Sequence, residues 1–151
     1  MAQSRADPGE PGQAGGGFEL LEHTADVGIR ARGATLEEVF EHATEGLAEV
    51  LGALRPGGPG EAVGVEVVAP DPGGLLVDWL NEVLWLREVQ EAVVAGVRVD
   101  RVGDGTAAGS VVLGGGGPGP DGTFVKAVTY HRLRVEPDPG GGWVAEVYLD
   151  V

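Results

Sequence analysis

Carboxylate groups near the two ends of the chain are the first candidates for a functional site, because together they could bind a cation. Asp26 opens an alternating run over residues 27–32, and Asp150 is the last acidic side chain of the sequence. A terminal carboxylate on Val151 would lie one residue further along. Carboxylate oxygens are hard ligands that suit calcium, magnesium or manganese. If the two strand ends meet, these three groups form one cluster, and their mutual repulsion favours a bound cation.

Each aspartate also has an ordinary structural interpretation. Isolated aspartates commonly stabilise turns, and Asp26 lies where a strand begins. Asp150 could equally be a frayed residue at the end of the last strand. Spacing along the sequence favours these ordinary roles, because spacing alone does not bring the two residues together.

Two histidines and a lysine could assist such a site. His23 lies three residues before Asp26, and His131 lies on a predicted strand face with apolar neighbours. Either imidazole could be a ligand, a general base or a structural group, and for His131 we expect a partly buried structural role. Lys126 interrupts an apolar strand face. It either covers apolar surface with its stem or directs its charge at the carboxylates or at a partner's phosphate.

Composition limits the class of protein. The chain has 151 residues, a formal net charge of −14 and no cysteine. This length fits one domain, and the lack of cysteine excludes disulfides and fits a reducing cytoplasm. No apolar run reaches the roughly 20 residues of a membrane span, and the N-terminus lacks the apolar segment of a secretory signal. We therefore expect a cytoplasmic protein that does not bind membranes. Direct binding of nucleic acid is not expected either, because phosphate backbones attract basic faces and this chain is acidic.

Two helices are predicted from capping signals and apolar periodicity. Thr35 and Glu38 form a capping box that begins the first helix, and Gly52 ends it. Asp71 and Pro72 begin the second helix, whose broad apolar face makes it the main core helix. Its tryptophans, at 79 and 85, are expected to lie in the core.

The strands complete an α+β domain, with the two helices packed on a mostly antiparallel β-sheet. Residues 1–17 are rich in Gly, Pro and Ala and are expected to form a disordered leader, which leaves a single domain over 18–151. The element order is ββαβαββββ, with strands at 18–22, 27–32, 63–67, 97–101, 106–113, 123–136 and 143–151. A turn at 137–140 predicts that the last two strands form a hairpin.

The sequence resembles the archease family from about residue 18 to residue 151. Five blocks in the same order carry the resemblance: HTADVGIRARG at 23–33, TLEEVFEHA at 35–43, LLVDWLNEVLWL at 75–86, KAVTYH at 126–131 and VYLDV at 147–151. Residues 87–122 match loosely, and the glycine-rich loop at 114–120 departs from the family pattern.

The resemblance implies an accessory protein that is not itself an enzyme. Archeases assist RtcB-type RNA ligases in tRNA splicing and RNA repair, where they promote guanylylation of the ligase and permit multiple turnover. The family's metal-binding positions match Asp26, Asp150 and Val151, so the resemblance implies that these residues bind Ca²⁺ or Mg²⁺/Mn²⁺. We expect His23 and His131, together with Lys126 of the KAVTYH block, to support function or contact the partner.

Two other functions would use the same features. A metal-dependent phosphohydrolase would activate water with these carboxylates and cleave a phosphoester without a partner. A chaperone-like binding module would use an exposed apolar face and need no metal. No GK[ST] sequence follows the glycine-rich stretches, and no serine is placed to form a triad with a histidine, so neither a phosphate-cradling loop nor a hydrolase triad is expected.

Overall fold

The structure, a computed structural model, describes residues 16–23, 26–52, 60–114 and 122–151. At positions 22, 23 and 26 it describes the backbone alone. Most of the predicted leader, residues 1–15, lies outside the described residues, and Gly17 is already part of the first strand. Most of the glycine-rich loop predicted at 114–120 also lies outside them.

The helices and strands follow the predicted order. The strands are β1 (Gly17–His23), β2 (Asp26–Gly33), β3 (Gly60–Val68), β4 (Val93–Gly103), β5 (Thr106–Gly114), β6 (Ala127–Pro137) and β7 (Trp143–Asp150), and the helices are α1 (Leu36–Gly52) and α2 (Pro72–Val89). Every pairing between these strands is antiparallel, so the α+β class is confirmed. Neither helix is long and apolar enough to cross a membrane.

The strands divide into two sheets. One sheet has the order β1-β2-β7-β6, and the other has the order β3-β5-β4. Periodicity along a strand shows which residues share a face but not which strands pair, so this division could not be predicted from the sequence. The predicted hairpin of β6 and β7 is confirmed, and β7 then continues beside β2. The last strand of the chain therefore lies against its second strand.

Side-chain caps fix where both helices begin. The Thr35 hydroxyl accepts the N–H of Glu38 at 3.2 Å, and the Glu38 carboxylate accepts the N–H of Ala34 at 2.8 Å. At the second helix, the Asp71 carboxylate accepts the N–H of Gly74 at 2.7 Å. Each bond satisfies an N–H group that has no partner inside the helix, which confirms both predicted starts.

One hydrophobic core joins both helices to both sheets. α1 packs on β2 and β4, and α2 packs on β6 and β3. Trp79 is fully buried, and its indole N–H donates to the buried Thr44 hydroxyl of α1 at 3.0 Å. The expectation that Trp85 also lies in the core was wrong: it is 57% exposed. Because Trp85 is six residues beyond Trp79, the two side chains point about 120° apart around the helix.

The start of β6 also differs from the prediction. A strand was expected from residue 123, but β6 begins at Ala127, and the Thr123 N–H donates to the Val50 carbonyl at the end of α1 at 2.8 Å. Val125 and Val128 are both buried, three positions apart, so the alternation of a regular strand does not continue through this segment.

An amide side chain of α2 forms hydrogen bonds with backbone groups at the outer edge of β6. Asn81 donates to the Val128 carbonyl at 3.0 Å and accepts the Val128 N–H at 2.9 Å. A similar contact occurs at the edge of the second sheet, where the Glu41 carboxylate of α1 accepts a hydrogen bond from the Val99 N–H at 2.8 Å. Unpaired edge groups invite pairing with another chain, so these bonds close the edges locally. The Asn81 contact also fixes β6 against α2.

Replacing Asn81 with leucine should loosen this edge. Asn81→Leu keeps a similar volume but leaves a part-buried N–H and C=O of Val128 without partners, which we expect to cost about 1–3 kcal/mol of unfolding free energy. Amide hydrogen exchange measured by NMR should show faster exchange at Val128, with Leu149 on the neighbouring strand unchanged. Unaltered protection of the Val128 amide would contradict this role of Asn81.

Candidate metal and partner site

The sheet register places several of the predicted site residues in one row. Asp26 is the cross-strand partner of Asp150, His23 is the partner of Asp26, and Ala127 is the partner of Asp150. Cα atoms of directly opposite residues in antiparallel strands lie about 4.5–5.5 Å apart. Two aspartates from opposite ends of the sequence therefore occupy neighbouring positions at one end of the four-stranded sheet.

Like charges directly opposite each other destabilise a sheet, so this pair has an electrostatic cost that a cation would relieve. The Asp150 side chain is exposed. Among the described side chains, which do not include that of Asp26, no three acidic or histidine groups are close enough to hold a metal ion. A metal site at this end of the sheet would therefore have to include side chains outside that described set, such as the carboxylate of Asp26.

Lys126 adjoins this pair through its backbone. Its N–H donates to the Asp150 carbonyl at 2.8 Å, although it precedes the first residue of β6. Its side chain is exposed, and within the described part of the chain its ammonium group forms no ion pair. This position favours a charge that is presented at the surface beside the carboxylates over a stem that covers apolar surface.

Directly after this row, β6 departs from regular pairing. Thr129 pairs with Tyr148 and Arg134 pairs with Glu146, so residues 130–133 of β6 lie opposite Val147 alone. This is a large β-bulge, and bulges often occur next to functional sites because they redirect side chains. It changes the surroundings of every residue that follows Thr129 in the KAVTYH block.

The bulge places a cation above an aromatic ring. The guanidinium carbon of Arg132 lies 5.9 Å from the centre of the Tyr148 ring, and Arg132 itself has φ 57°, which is uncommon for a residue other than glycine. Tyr148 lies on the same sheet face as Asp150, two residues earlier, yet it is only 6% exposed. Gly28, its cross-strand partner, leaves room for the ring, because a Cβ there would lie 2.7 Å from a ring carbon.

The next row of the same face is a network of ion pairs across four strands. Glu146 of β7 accepts hydrogen bonds from Arg30 at 2.7 Å and from Arg134 at 2.9 Å, and Arg30 also donates to Glu19 of β1 at 3.0 Å. Burial would raise the pKa of Glu146, but the hydrogen bonds and charges of Arg134 and Arg30 outweigh burial, so the pKa is lowered. The network fixes the strands whose ends form the aspartate row.

One expectation about the supporting residues was wrong. His131 is exposed rather than partly buried, because it lies in the bulge and the predicted alternation with apolar neighbours stops there. His23 holds a register position beside Asp26, and Val151 directly follows β7 and is 37% exposed. The assignment of Asp26, Asp150 and Val151 as metal ligands remains a prediction.

Sequence reasoning missed two residues of this site. Tyr148 could have been found, because its position two residues before Asp150 puts both on one face of the predicted last strand. Arg132 could not, because nothing in an alternating sequence indicates where a bulge interrupts the register. Tyr148 lies in the VYLDV block, and Arg132 directly follows the KAVTYH block.

Comparison with known proteins identifies the family. Residues 18–151 match the model of the Archease protein family (MTH1598/TM1083). The chain belongs to the archease family. Protein archease of Methanosarcina mazei is 38% identical over 141 residues, which cover 89% of this chain and 95% of that protein. Protein archease of Thermococcus gammatolerans is also 38% identical, over 89% of this chain and 98% of its own length.

Solved structures of the family have the same fold. The solution structure of Methanobacterium thermoautotrophicum protein 1598 is 31% identical, with a TM-score of 0.71, over 89% of this chain and 99% of that one. The crystal structure of the Thermotoga maritima archease, described as a possible chaperone, is 25% identical, with a TM-score of 0.61, over 87% of this chain and 94% of that one. The resemblance inferred from the five sequence blocks is therefore confirmed.

The lowered pKa of Glu146 makes the ion-pair network sensitive to acid. A carboxyl group with a lowered pKa in the folded state stabilises the fold above its unfolded pKa, near 4.5, and loses that contribution as the pH falls. We expect Glu146→Gln to lower the unfolding free energy by about 1–2 kcal/mol at pH 7. The deficit should shrink as the pH falls below about 4.5.

Urea denaturation of the native protein and the variant at pH 7 and pH 3.5 measures this dependence. Glu66→Gln is the matched control, because Glu66 faces Arg101 at 3.7 Å with both side chains well exposed. A deficit of equal size at both pH values would contradict the electrostatic explanation.

Proposed function

We propose that this protein is a non-catalytic activator of an RtcB-type RNA ligase, with a divalent cation bound between Asp26 and Asp150. In this role it would promote guanylylation and multiple turnover of the ligase in tRNA splicing or RNA repair. Membership of the archease family supports the accessory role, and the pairing of Asp26 with Asp150 is the observation that supports the metal site. The description of the Thermotoga maritima relative as a possible chaperone suits a protein that acts by binding another protein.

The donor set suits Ca²⁺, Mg²⁺ or Mn²⁺, because it consists of carboxylate oxygens. A terminal carboxylate on Val151 would add a third group to Asp26 and Asp150. Calcium takes about 6–8 oxygen ligands and magnesium takes about six, so three carboxylates leave positions for water or for groups of a partner. When bound, the ion would offset the repulsion between the two aspartates and supply an incompletely coordinated Lewis acid at the protein surface.

The surroundings of the aspartate pair suit a contact site for another molecule. Lys126 is exposed directly before Ala127, which pairs with Asp150, and His131 is exposed within the bulge. His23 is the cross-strand partner of Asp26. We assign these three residues to support of the metal site or to contact with the ligase. Arg132, above the Tyr148 ring, is a further candidate for holding the shape of this surface.

The charge of the chain indicates which side of the ligase it meets. A net charge of −14 favours association with a basic face, and a protein that binds RNA and GTP presents such a face. The same charge disfavours direct binding of RNA by this protein. Localisation in the cytoplasm is part of this proposal, since the absence of cysteine fits a reducing compartment.

Loss of either aspartate should abolish activation without unfolding the protein. We expect Asp26→Asn and Asp150→Asn to reduce the stimulated rate by at least about tenfold, because each removes a charged ligand. The measurement is multiple-turnover RNA ligation by the cognate RtcB-type ligase, together with labelling of the ligase by GTP. Asp100→Asn is the matched control, since Asp100 is an exposed aspartate on β4 that pairs with Arg98, away from the aspartate pair. Normal activation by both site variants would refute the metal site.

Extending the chain beyond Val151 should weaken metal binding. A short Gly-Ser extension moves the terminal carboxylate away from Asp150, whereas the same extension at the N-terminus leaves it in place. Isothermal titration with Ca²⁺ and Mg²⁺ should show weaker binding for the C-terminal extension alone. Equal affinity for both extended proteins would show that the terminal carboxylate is not a ligand.

The same titrations separate this function from the two alternatives. A metal-independent binding module would bind the ligase with the same affinity in the presence of Ca²⁺ or Mg²⁺ and after removal of metal from this protein. A metal-dependent phosphohydrolase would release phosphate from a model phosphoester without any ligase, and Asp26→Asn would end that release.

A further inference from the structure

A strip of exposed apolar side chains runs between α2 and β6. Eight large hydrophobic residues are exposed in the described part of the chain, and four of them lie here. We call these four residues the α2–β6 strip: Trp85 is 57% exposed, Val89 58%, Phe124 68% and Tyr130 61%. Isolated exposed apolar residues are ordinary, whereas a contiguous exposed apolar patch with a polar rim marks an interaction surface.

Two sets of hydrogen bonds fix the alignment that brings these residues together. The Tyr130 hydroxyl donates to Asp78 at 3.2 Å, and Asn81 bonds both backbone groups of Val128. Chain numbers rise along α2 as they fall along β6, so the helix and the strand run in opposite directions. Asp78, Asn81 and Trp85 follow the i, i+3, i+7 spacing of one helix face.

The rise of each element then sets the position of the aromatic residues. Four helix residues beyond Asn81 advance about 6 Å, and two strand residues before Val128 advance about 6.6–6.8 Å. Trp85 is therefore level with about residue 126, and Val89, one turn beyond it, is level with about residue 124. Val125 is 1% exposed, so its burial anchors this segment while Phe124 points outward.

The α2 side of the strip is acidic. Asp78, Glu82 and Glu88 of α2 flank it there, whereas the cations Lys126 and Arg132 lie on the β6 side. Apolar groups within a rim of negative charge fit a protein surface that presents apolar side chains beside lysine or arginine. Nucleic acid does not fit, because its phosphates would face the glutamates.

The strip is also continuous with the candidate metal site. Phe124 is two residues before Lys126, whose N–H bonds to the Asp150 carbonyl, and Tyr130 begins the bulge that contains His131. A partner seated on the strip would therefore extend over the end of the sheet where Asp26 and Asp150 pair.

We propose that the α2–β6 strip is the docking surface for the ligase, and that its occupant is an apolar protein segment flanked by lysine or arginine. This inference rests on the proposed function, since it takes the ligase as the partner. In this proposal the strip provides the affinity for the ligase, and the pair of aspartates provides the activation.

The first test removes the aromatic anchors. Trp85→Ser combined with Phe124→Ser should weaken binding of the cognate ligase at least about 30-fold, as expected for loss of central aromatic contacts. Val68→Ser is the matched control, because Val68 is 74% exposed at the end of β3 in the other sheet. Biolayer interferometry measures the affinity, and calcium titration shows whether the variant keeps the metal site. Native affinity in the double variant would overturn the proposal.

The second test reverses the charge at the rim. Glu82→Lys combined with Glu88→Lys should slow association with the ligase, and Glu49→Lys, an exposed position on α1, should not. Equal association rates for these variants would contradict the charge complementarity on which the choice of occupant rests.

The outcomes also separate this proposal from the proposed function. Asp150→Asn should bind the ligase but fail to activate it, whereas the aromatic double variant should bind calcium but not the ligase. Binding through the strip without any activation by the native protein would refute the proposed function and leave the docking surface intact. Sedimentation that shows a native dimer, lost in the aromatic double variant, would mean that a second copy covers the strip and would overturn the docking proposal.

Discussion

The antiparallel pairing of β2 with β7 holds the centre of the four-stranded sheet and sets the positions of the aspartate pair. It joins an early strand of the chain to its last one, and its register sets Asp26 opposite Asp150. The core specifies that register, because Ile29 and Val147 pair on the inner face and are each 1% exposed. A slip of β7 by one residue would turn Asp150 toward the core. The packing of apolar residues thus holds Asp26 and Asp150 at directly opposite positions of the sheet.

The neighbouring elements determine what surrounds that pair. The ion pairs of Glu146 hold four strands together two rows further into the sheet, and in the row between them the Tyr148 ring fills the space left by Gly28. On the other side, Asn81 fixes β6 against α2. These contacts hold the strands in register beside the aspartate pair, while the α2–β6 strip keeps aromatic side chains exposed. Such an arrangement suits a protein that presents a fixed surface to a larger partner.

Much of this fold could be predicted from the sequence, because local signals decide it. The caps at Thr35 and Asp71, the alternation of β2 and the turn before β7 each act over a few residues. The partition into two sheets was not predictable, since pairing depends on contacts between distant strands. The exposure of Trp85 was missed because its helix is apolar over most of its circumference, so periodicity does not identify the exposed side.

The site was predictable to the extent that it follows from strand ends. The carboxylates of Asp26 and Asp150 suggested a cluster, but only the strand register shows that the two residues are cross-strand partners. The bulge in β6 carries no sequence signal, and it exposed His131 and placed Arg132 above Tyr148. Residues on regular strands could therefore be assigned to a face from the sequence, whereas residues 130–133 could not.

Anomalous diffraction from a calcium-soaked crystal shows whether the two aspartates bind one cation. We expect one strong anomalous peak about 2.3–2.6 Å from carboxylate oxygens of both Asp26 and Asp150. A crystal of Asp150→Asn soaked in the same way provides the control and should lack that peak. A native crystal without a peak between the two aspartates, or with the ion bound elsewhere on the chain, would contradict the account.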